Sequence, residues 1–422
     1  MGMVEQILAP VMLPRMVRIR QHFDATKIDD VADVLLAELS RPLIESTVLP
    51  GSRICLTAGS RGVDNIALIL KTVAGYVKAK GAIPFIIPAM GSHGGATAEG
   101  QLKVLEDYGI TPESCGCEVI SSMETKEIGT TSDGQRVSID KHAAAADGII
   151  VIGRIKPHTG FRGTYESGIM KMMAIGLGKQ RGAEACHRQG FKKMAQMVPM
   201  FGKTILQNCP VLFGIGLVEN AFDQTCLIRA LTPDEIIDKE PEILNLARTR
   251  MPCIKIPSGD ILVVDRIGKN ISGDGMDPNI SGTWATPYAS GGFQSEHVVV
   301  LDLTDETHGN SNGLGMADVT TDRAFNKIIP DVTYPNGLTS LILNVLRVPM
   351  HVRSDELAIK AAAKACTDGD RDHLRIVRIQ DTLHLGEIWI SEAMLADARS
   401  RDDIDILGDP APFAFDEQGN LF

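Results

Sequence analysis

"RICLTAGSRGVDNIALILKTVAGYVKAKGAIPFIIPAM", Arg53 to Met90, reads as strand, loop, helix and strand in succession. "RICLT" is a short β-branched and apolar run, and "AGSRG" is a loop. In "DNIALILKTVAGYVKAKG" the residues Ile66, Leu70, Val73 and Val77 fall on one helical stripe. Asp64 is placed to cap the start of that helix, and Gly81 to end it. "IPFIIP" is apolar without alternation, as a strand buried on both faces requires. After a "GSHGG" loop, "TAEGQLKVLEDYG" predicts a second amphipathic helix capped by Thr97. The order β-α-β-α predicts a parallel α/β sheet.

Outward from this core the pattern continues. "GIIVIGR" (148–154) and "VLFGIGLV" (211–218) predict further strands, and "PDEIIDKEPEILNLARTR" (233–250) a helix carrying Ile236, Ile243 and Leu246. "MPCIKIPSGD" brings Pro252, Pro257 and Gly259 into ten residues, a composition shift that marks a boundary. Beyond it, "ILVVD", "HVVVLDL" and "LRIVRI" alternate with Gly-rich and helical segments. The expected architecture is therefore α/β, with two α/β domains and a cleft between them. Residues 1–255 are expected to form one domain with a mostly parallel sheet, and 256–422 a second α/β domain on the other side of that cleft.

Composition narrows the function. Of 422 residues, 44% are hydrophobic and 23% charged, which is ordinary globular composition. A net charge of −11 gives no footprint for nucleic acid or an anionic membrane. Glu5, Pro10 and Arg15 break any secretory pattern, and no run reaches the roughly 18–20 apolar residues of a membrane span. Eight scattered cysteines without a CxxC pair read as reduced thiols in a cytoplasmic protein.

The chemistry-bearing residues follow predicted strands: Arg61 after 53–58, His93 after 83–88 and His158 after 148–154. Loops at the carboxyl ends of parallel strands surround the ligand crevice, so neighbouring strands would bring these three to one rim. Ser60 and Arg61 suit a phosphate, although a lone loop Arg is more often an ordinary surface residue. His93 lies among Gly91, Gly94 and Gly95 ahead of a helix start, either as a ligand loop or as a tight turn. Lys171 stands between "ESGIM" and "MMAIGLG". It either snorkels or has its amine neutralised, by a Schiff base or an amide-type link to a cofactor. His187, sixteen residues on, is either a helix-end histidine or a neutral imidazole ligand for a metal. Lys269, in "GKNISGDGMDPN", is a candidate anchor for a substrate carboxylate or a surface lysine.

Taken in order, these elements resemble the nickel-dependent lactate racemase family. The resemblance rests on the Arg61 loop, the Gly-flanked His93, Pro157-His158, Ser167-Gly168-Ile169-Met170-Lys171, and His187. It covers roughly residues 50–190. It implies a nickel pincer nucleotide attached covalently through Lys171, with His187 as nickel ligand. It also implies His93 and His158 as the two acid/base histidines, and Arg61, Ser60 and Ser167 at the cofactor phosphate. The implied activity is racemisation or epimerisation of a 2-hydroxy acid by proton-coupled hydride transfer. The implied partners are that small-molecule substrate and the enzymes that make the cofactor, with homo-oligomerisation open.

The sequence also departs from the family pattern. Ala58 stands where the family has an Asp, Gly62 where it has a Pro, and Gly94 where it has an Arg. The interval between His158 and Lys171 is longer by an inserted "RGTYE", which offers Arg162, Tyr165 and Glu166 as substrate contacts. These differences leave a larger or more polar 2-hydroxy acid, such as a sugar acid, as open as lactate. Two other readings stand beside this one: a Schiff-base lyase or aldolase using Lys171, and a non-catalytic sugar-acid or nucleotide-binding relative.

Overall fold

The computed structural model describes residues 2–367 and 370–422. The chain forms two compact α/β units. One is Asp24–Met251; the other combines Pro252–Phe422 with the segment ending at Phe23.

In the Asp24–Met251 unit, the six-stranded sheet runs Glu118–Val119, Ile83–Pro88, Arg53–Ala58, Gly148–Arg154, Val211–Glu219 and Thr225–Leu231 among the described residues. The first five are parallel, and the last is an antiparallel edge strand. Alternate residues of each central strand enter opposite cores. Cys55, Phe85, Ile87, Ile149 and Val151 join Met170, Met173, Met197 and Phe201 on one face. Ile54, Leu56, Ile86, Ile150 and Ile152 pack on the other against Ile69, Leu70, Val73 and Val77 of helix Ile66–Ala79. Burial on both faces is why these strands read as unbroken apolar runs. Thr97 caps helix Ala98–Asp107 by accepting the Gly100 N–H at 3.0 Å, as expected.

The cap assigned to Asp64 is different. Helix Ile66–Ala79 starts one residue later, with Asn65 left-handed (φ 60°) at the cap position. The Asp64 carboxylate instead accepts the Thr225 N–H at 3.0 Å, so it ties the loop to the edge strand.

The other unit holds an eight-stranded sheet among the described residues. Its order is Met350–Val352, Val319–Thr321, His297–Leu303, Ile261–Ile267, Ile376–Ile379, Glu387–Ser391, Met16–Gln21 and Ile404–Ile406. Strand Met16–Gln21 runs antiparallel between Glu387–Ser391 and Ile404–Ile406. Residues 2–23 therefore belong with the C-terminal half and not, as the sequence suggested, with the 1–255 domain. Among the described residues no helix is long and apolar enough to cross a membrane. The eight cysteines are free thiols, five of them buried.

Candidate functional site

Strands Ile83–Pro88, Arg53–Ala58 and Gly148–Arg154 are parallel neighbours, so the loops after them share one edge of the sheet. This is the placement expected for Arg61, His93 and His158. The first two loops touch directly: the Ser60 hydroxyl and His93 Nδ1 form a short hydrogen bond. The His93 ring and Arg61 are exposed. Ala58, the position of the family's Asp, is a fully buried strand end.

Beneath these loops runs the segment that carries Lys171. Helix Ile169–Lys171 passes straight into a π-helical stretch, Met172–Leu177, then into helix Lys179–His187. π-Helical turns widen the backbone and frequently mark functional sites. Gly176 lets this stretch close onto the sheet, since a Cβ there would lie 2.6 Å from the Ala89 carbonyl. Gly168 is needed for another reason: its missing Cβ would overlap the Glu240 carboxylate. That carboxylate accepts the Met170 N–H at 3.0 Å, at the start of the lysine's helix. Burial pushes the Glu240 pKa up to about 8, against the lowering effect of its bonds to the Met170 and Ile169 N–H groups.

His158 and His187 meet around one phenylalanine. The Phe191 ring centroid lies 6.1 Å from that of His158 and 5.8 Å from that of His187, and the Phe161 ring packs against His158 at 4.5 Å, tilted by 37°. Burial holds His158 well below the ordinary histidine range, and the positive charge of Lys171 acts next. His187 is lowered by burial too, with Lys171 acting in the same direction against the Ala183 hydrogen bond. Both rings are therefore neutral near pH 7, and both feel the lysine.

Their hydrogen bonds fix their tautomers. His187 Nδ1 lies 2.7 Å from the Ala183 carbonyl, which can only accept, so Nδ1 carries the proton and Nε2 a lone pair. In His158 the roles are reversed. Its Nδ1 accepts the Gly160 N–H at 2.9 Å, so the neutral ring is protonated on Nε2.

The inserted "RGTYE" builds the wall of the His158 loop. Glu166 is fully buried and accepts from the His158 N–H (2.7 Å), the Gly163 N–H (3.2 Å), Arg162 (3.3 Å) and Arg248 (2.6 Å). Arg162 also donates to the His158 carbonyl at 2.8 Å. Tyr165 lies in the core, 5% exposed, and its hydroxyl donates to the Ile237 carbonyl at 2.6 Å. Of the insertion's three offered substrate contacts, Glu166 and Tyr165 are thus turned to the protein, and Arg162 braces the loop. Ser167 pairs its backbone with Lys156 in an isolated bridge. Lys269 lies in the other unit, where its ammonium donates to the Gly273 carbonyl at 2.5 Å.

The sequence reading missed Lys179. It is completely buried, and its ammonium donates to the Pro88 carbonyl (2.5 Å) and Gln101 Oε1 (3.1 Å), with Asp140 Oδ2 at 3.2 Å. Gln101 in turn donates to the Gly91 (2.9 Å) and His93 (3.2 Å) carbonyls. The His93 loop is therefore pinned from below by a buried cation.

Residues 24–198, which start where the unit starts, match the family described as lactate racemase N-terminal domain. The resemblance carried by the motifs thus extends across most of the unit that bears them. Among solved structures, the chain is similar to the lactate racemase apoprotein from Thermoanaerobacterium thermosaccharolyticum, with a TM-score of 0.53 and 16% identity. The match covers 87% of this chain and 98% of that one, and at this identity it speaks for the fold. No curated protein matches the chain.

Proposed function

We propose that the protein is a racemase or epimerase of a 2-hydroxy acid that works with a nickel pincer nucleotide attached through Lys171. The observation that carries this reading is the His187 ring. Its Nδ1–H is committed to the Ala183 carbonyl, which leaves the neutral Nε2 lone pair to serve as a metal ligand. Burial keeps that ring unprotonated, and the charge of Lys171 reaches it. A lysine and a ligand-competent imidazole acting in one region fit the donor set that the group needs.

When bound, the group supplies a hydride acceptor and donor for the substrate carbon; the remaining work falls to the chain. Lys171 provides the amine for attachment, which removes its charge and the cost of its partial burial. Ser60, Arg61 and Ser167 hold the cofactor phosphate. His93 and His158 exchange the hydroxyl proton of the two enantiomers. A well-placed general base gives about 10²–10⁴-fold. His158 must first change tautomer to accept a proton at Nε2, giving up its bond from Gly160. His93 is presented on the rim with Ser60 as its partner, and either ring nitrogen can hold the proton. The closed wall formed by Glu166 and Tyr165 leaves substrate selection to other groups on the rim. The enzymes that make the nucleotide are its required partners.

The test is co-expression with the cofactor-making enzymes, followed by intact mass, peptide mapping and nickel content. The expected result is an adduct on Lys171 with one nickel per chain. The His187→Ala protein should keep the adduct and lose the metal. A folded chain that stays unmodified and nickel-free, or that is trapped at Lys171 by borohydride with a keto acid, would refute the proposal. A screen of 2-hydroxy acids read by chirality then identifies the substrate.

A further inference from the structure

The unit built mainly from the C-terminal half holds a second cluster of metal-type donors. Strand His297–Leu303 begins with His297, and Glu296 precedes it. Helix Asp355–Ala365 packs over that strand and ends at Cys366, which is buried in the shared core with Val299, Leu301, Ala358 and Ala362. The start of the strand and the end of the helix thus meet. One donor atom each of Glu296, His297 and Cys366 lies within 4.8 Å of the others.

The histidine is the informative member. Both its ring nitrogens are shielded from solvent, and neither has a hydrogen-bond partner among the described residues. Nε2 is 3.9 Å from Glu296 Oε1, and Nδ1 is 3.5 Å from Asp318 Oδ2. Both are beyond hydrogen-bond length. A buried polar atom left without a partner is destabilising, and here one ring carries two.

We propose that Glu296, His297 and Cys366 bind one zinc-type divalent cation, with His297 coordinating through Nε2 and Asp318 orienting the ring from its Nδ1 side. Coordination satisfies Nε2. It also fixes the proton on Nδ1, facing a carboxylate, as metal-bound histidines commonly do. Thr367 already holds the Glu296 carboxylate through its N–H (2.8 Å) and hydroxyl (2.7 Å), and Asp318 Oδ2 is held by the Val298 N–H at 2.8 Å. Both carboxylates are thus positioned before any ion arrives.

A thiolate, an imidazole and a carboxylate suit zinc or a neighbouring transition metal; magnesium and calcium take oxygen donors. Tetrahedral donors around zinc sit about 3.5 Å apart, so a modest side-chain rotation closes the set. Three protein donors leave the fourth position for water. Glu296 and Asp318 also line a cavity of about 380 Å³ with Trp284, Phe293 and Gln294, which gives that position room for a small ligand. This site shares no residue with the Lys171–His187 group and does not depend on the nickel reading.

The test is titration of metal-depleted, full-length protein with Co²⁺, which reports thiolate ligation by a near-ultraviolet charge-transfer band. One equivalent should produce the band, and Zn²⁺ should abolish it by displacement. Cys366→Ser should remove the band, and His297→Ala and Glu296→Gln should each weaken binding at least tenfold. Asp318→Asn should weaken it less. His187→Ala should leave the band unchanged, which separates this site from the other. Because Cys366 is buried, His297→Ala and Glu296→Gln provide the decision if the serine variant does not fold. Absence of the band in wild-type protein, or wild-type affinity in folded His297→Ala and Glu296→Gln, overturns the proposal.

Discussion

Replacing Lys179 by Met tests whether a buried cation holds the His93 loop. Methionine keeps most of the stem's volume and removes the ammonium. Two oxygens then lose their donor, the Pro88 carbonyl and Gln101 Oε1, and Asp140 Oδ2 loses the cation it is paired with at 3.2 Å. The Asp140 carboxylate, fully buried, keeps only the His142 and Ala143 N–H groups on its other oxygen. Breaking a buried ion pair from one side costs about 3–5 kcal/mol, because the remaining charge stays desolvated. For a unit of this size each kcal/mol lowers Tm by about 2–4 °C, so a drop of roughly 6–20 °C is expected. The assay is thermal and urea unfolding of wild type, Lys179→Met, Asp140→Asn and the double variant. The double variant should recover much of the loss, since it no longer buries an unpaired charge. A Lys179→Met protein within about 0.5 kcal/mol of wild type, or a double variant that is merely the sum of the singles, would refute the reasoning.

Gly168→Ala should cost about 1–3 kcal/mol by forcing the Glu240 carboxylate away, and should reduce adduct formation on Lys171 in intact-mass analysis of folded protein. Glu240 makes stability depend on pH. Its folded pKa of about 8 lies above the ordinary carboxylate value, so its contribution is complete below about pH 4.5 and is lost as pH rises toward 8, by up to about 5 kcal/mol. Urea midpoints at pH 5, 6.5 and 8 should therefore fall more steeply for wild type than for Glu240→Gln. Tyr165→Phe should lose about 1 kcal/mol with its bond to the Ile237 carbonyl, and should leave KM and kcat of the holo-protein unchanged.

The parts of the fold that could be read in the sequence are those set by near neighbours. Buried parallel strands are continuous apolar runs, and the stripe Leu70, Val73, Val77 needs only helical spacing. What escaped was decided at a distance. Asp64 has the chemistry of a cap, but a strand 161 residues away takes its carboxylate. Strand Met16–Gln21 has no local sign of the sheet it enters. Around the candidate site, unusual residue types drew attention to His93, His158, Lys171 and His187, while Lys179 looked like an ordinary helix-start lysine because its partners lie on other elements. Glu240 did leave a signal. It stands four residues after Ile236 and three before Ile243, on the buried stripe of its helix, where a carboxylate demands an explanation. The insertion before Lys171 was visible as extra length, but whether its side chains faced substrate or core was not.

The place of strand Met16–Gln21 has a consequence for biosynthesis. Its Arg20 pairs with Glu387, 367 residues later, in the interior of a sheet. On a ribosome this strand emerges well before its partners and waits for them while the intervening Asp24–Met251 unit has had time to close on itself. Until then the sheet edges at Glu387–Ser391 and Ile404–Ile406 are bare. A fragment starting at residue 252 would keep those edges open and invite pairing with other chains. A circular permutant that joins the two ends and opens the chain at the Phe23–Asp24 junction would deliver the strand next to its neighbours.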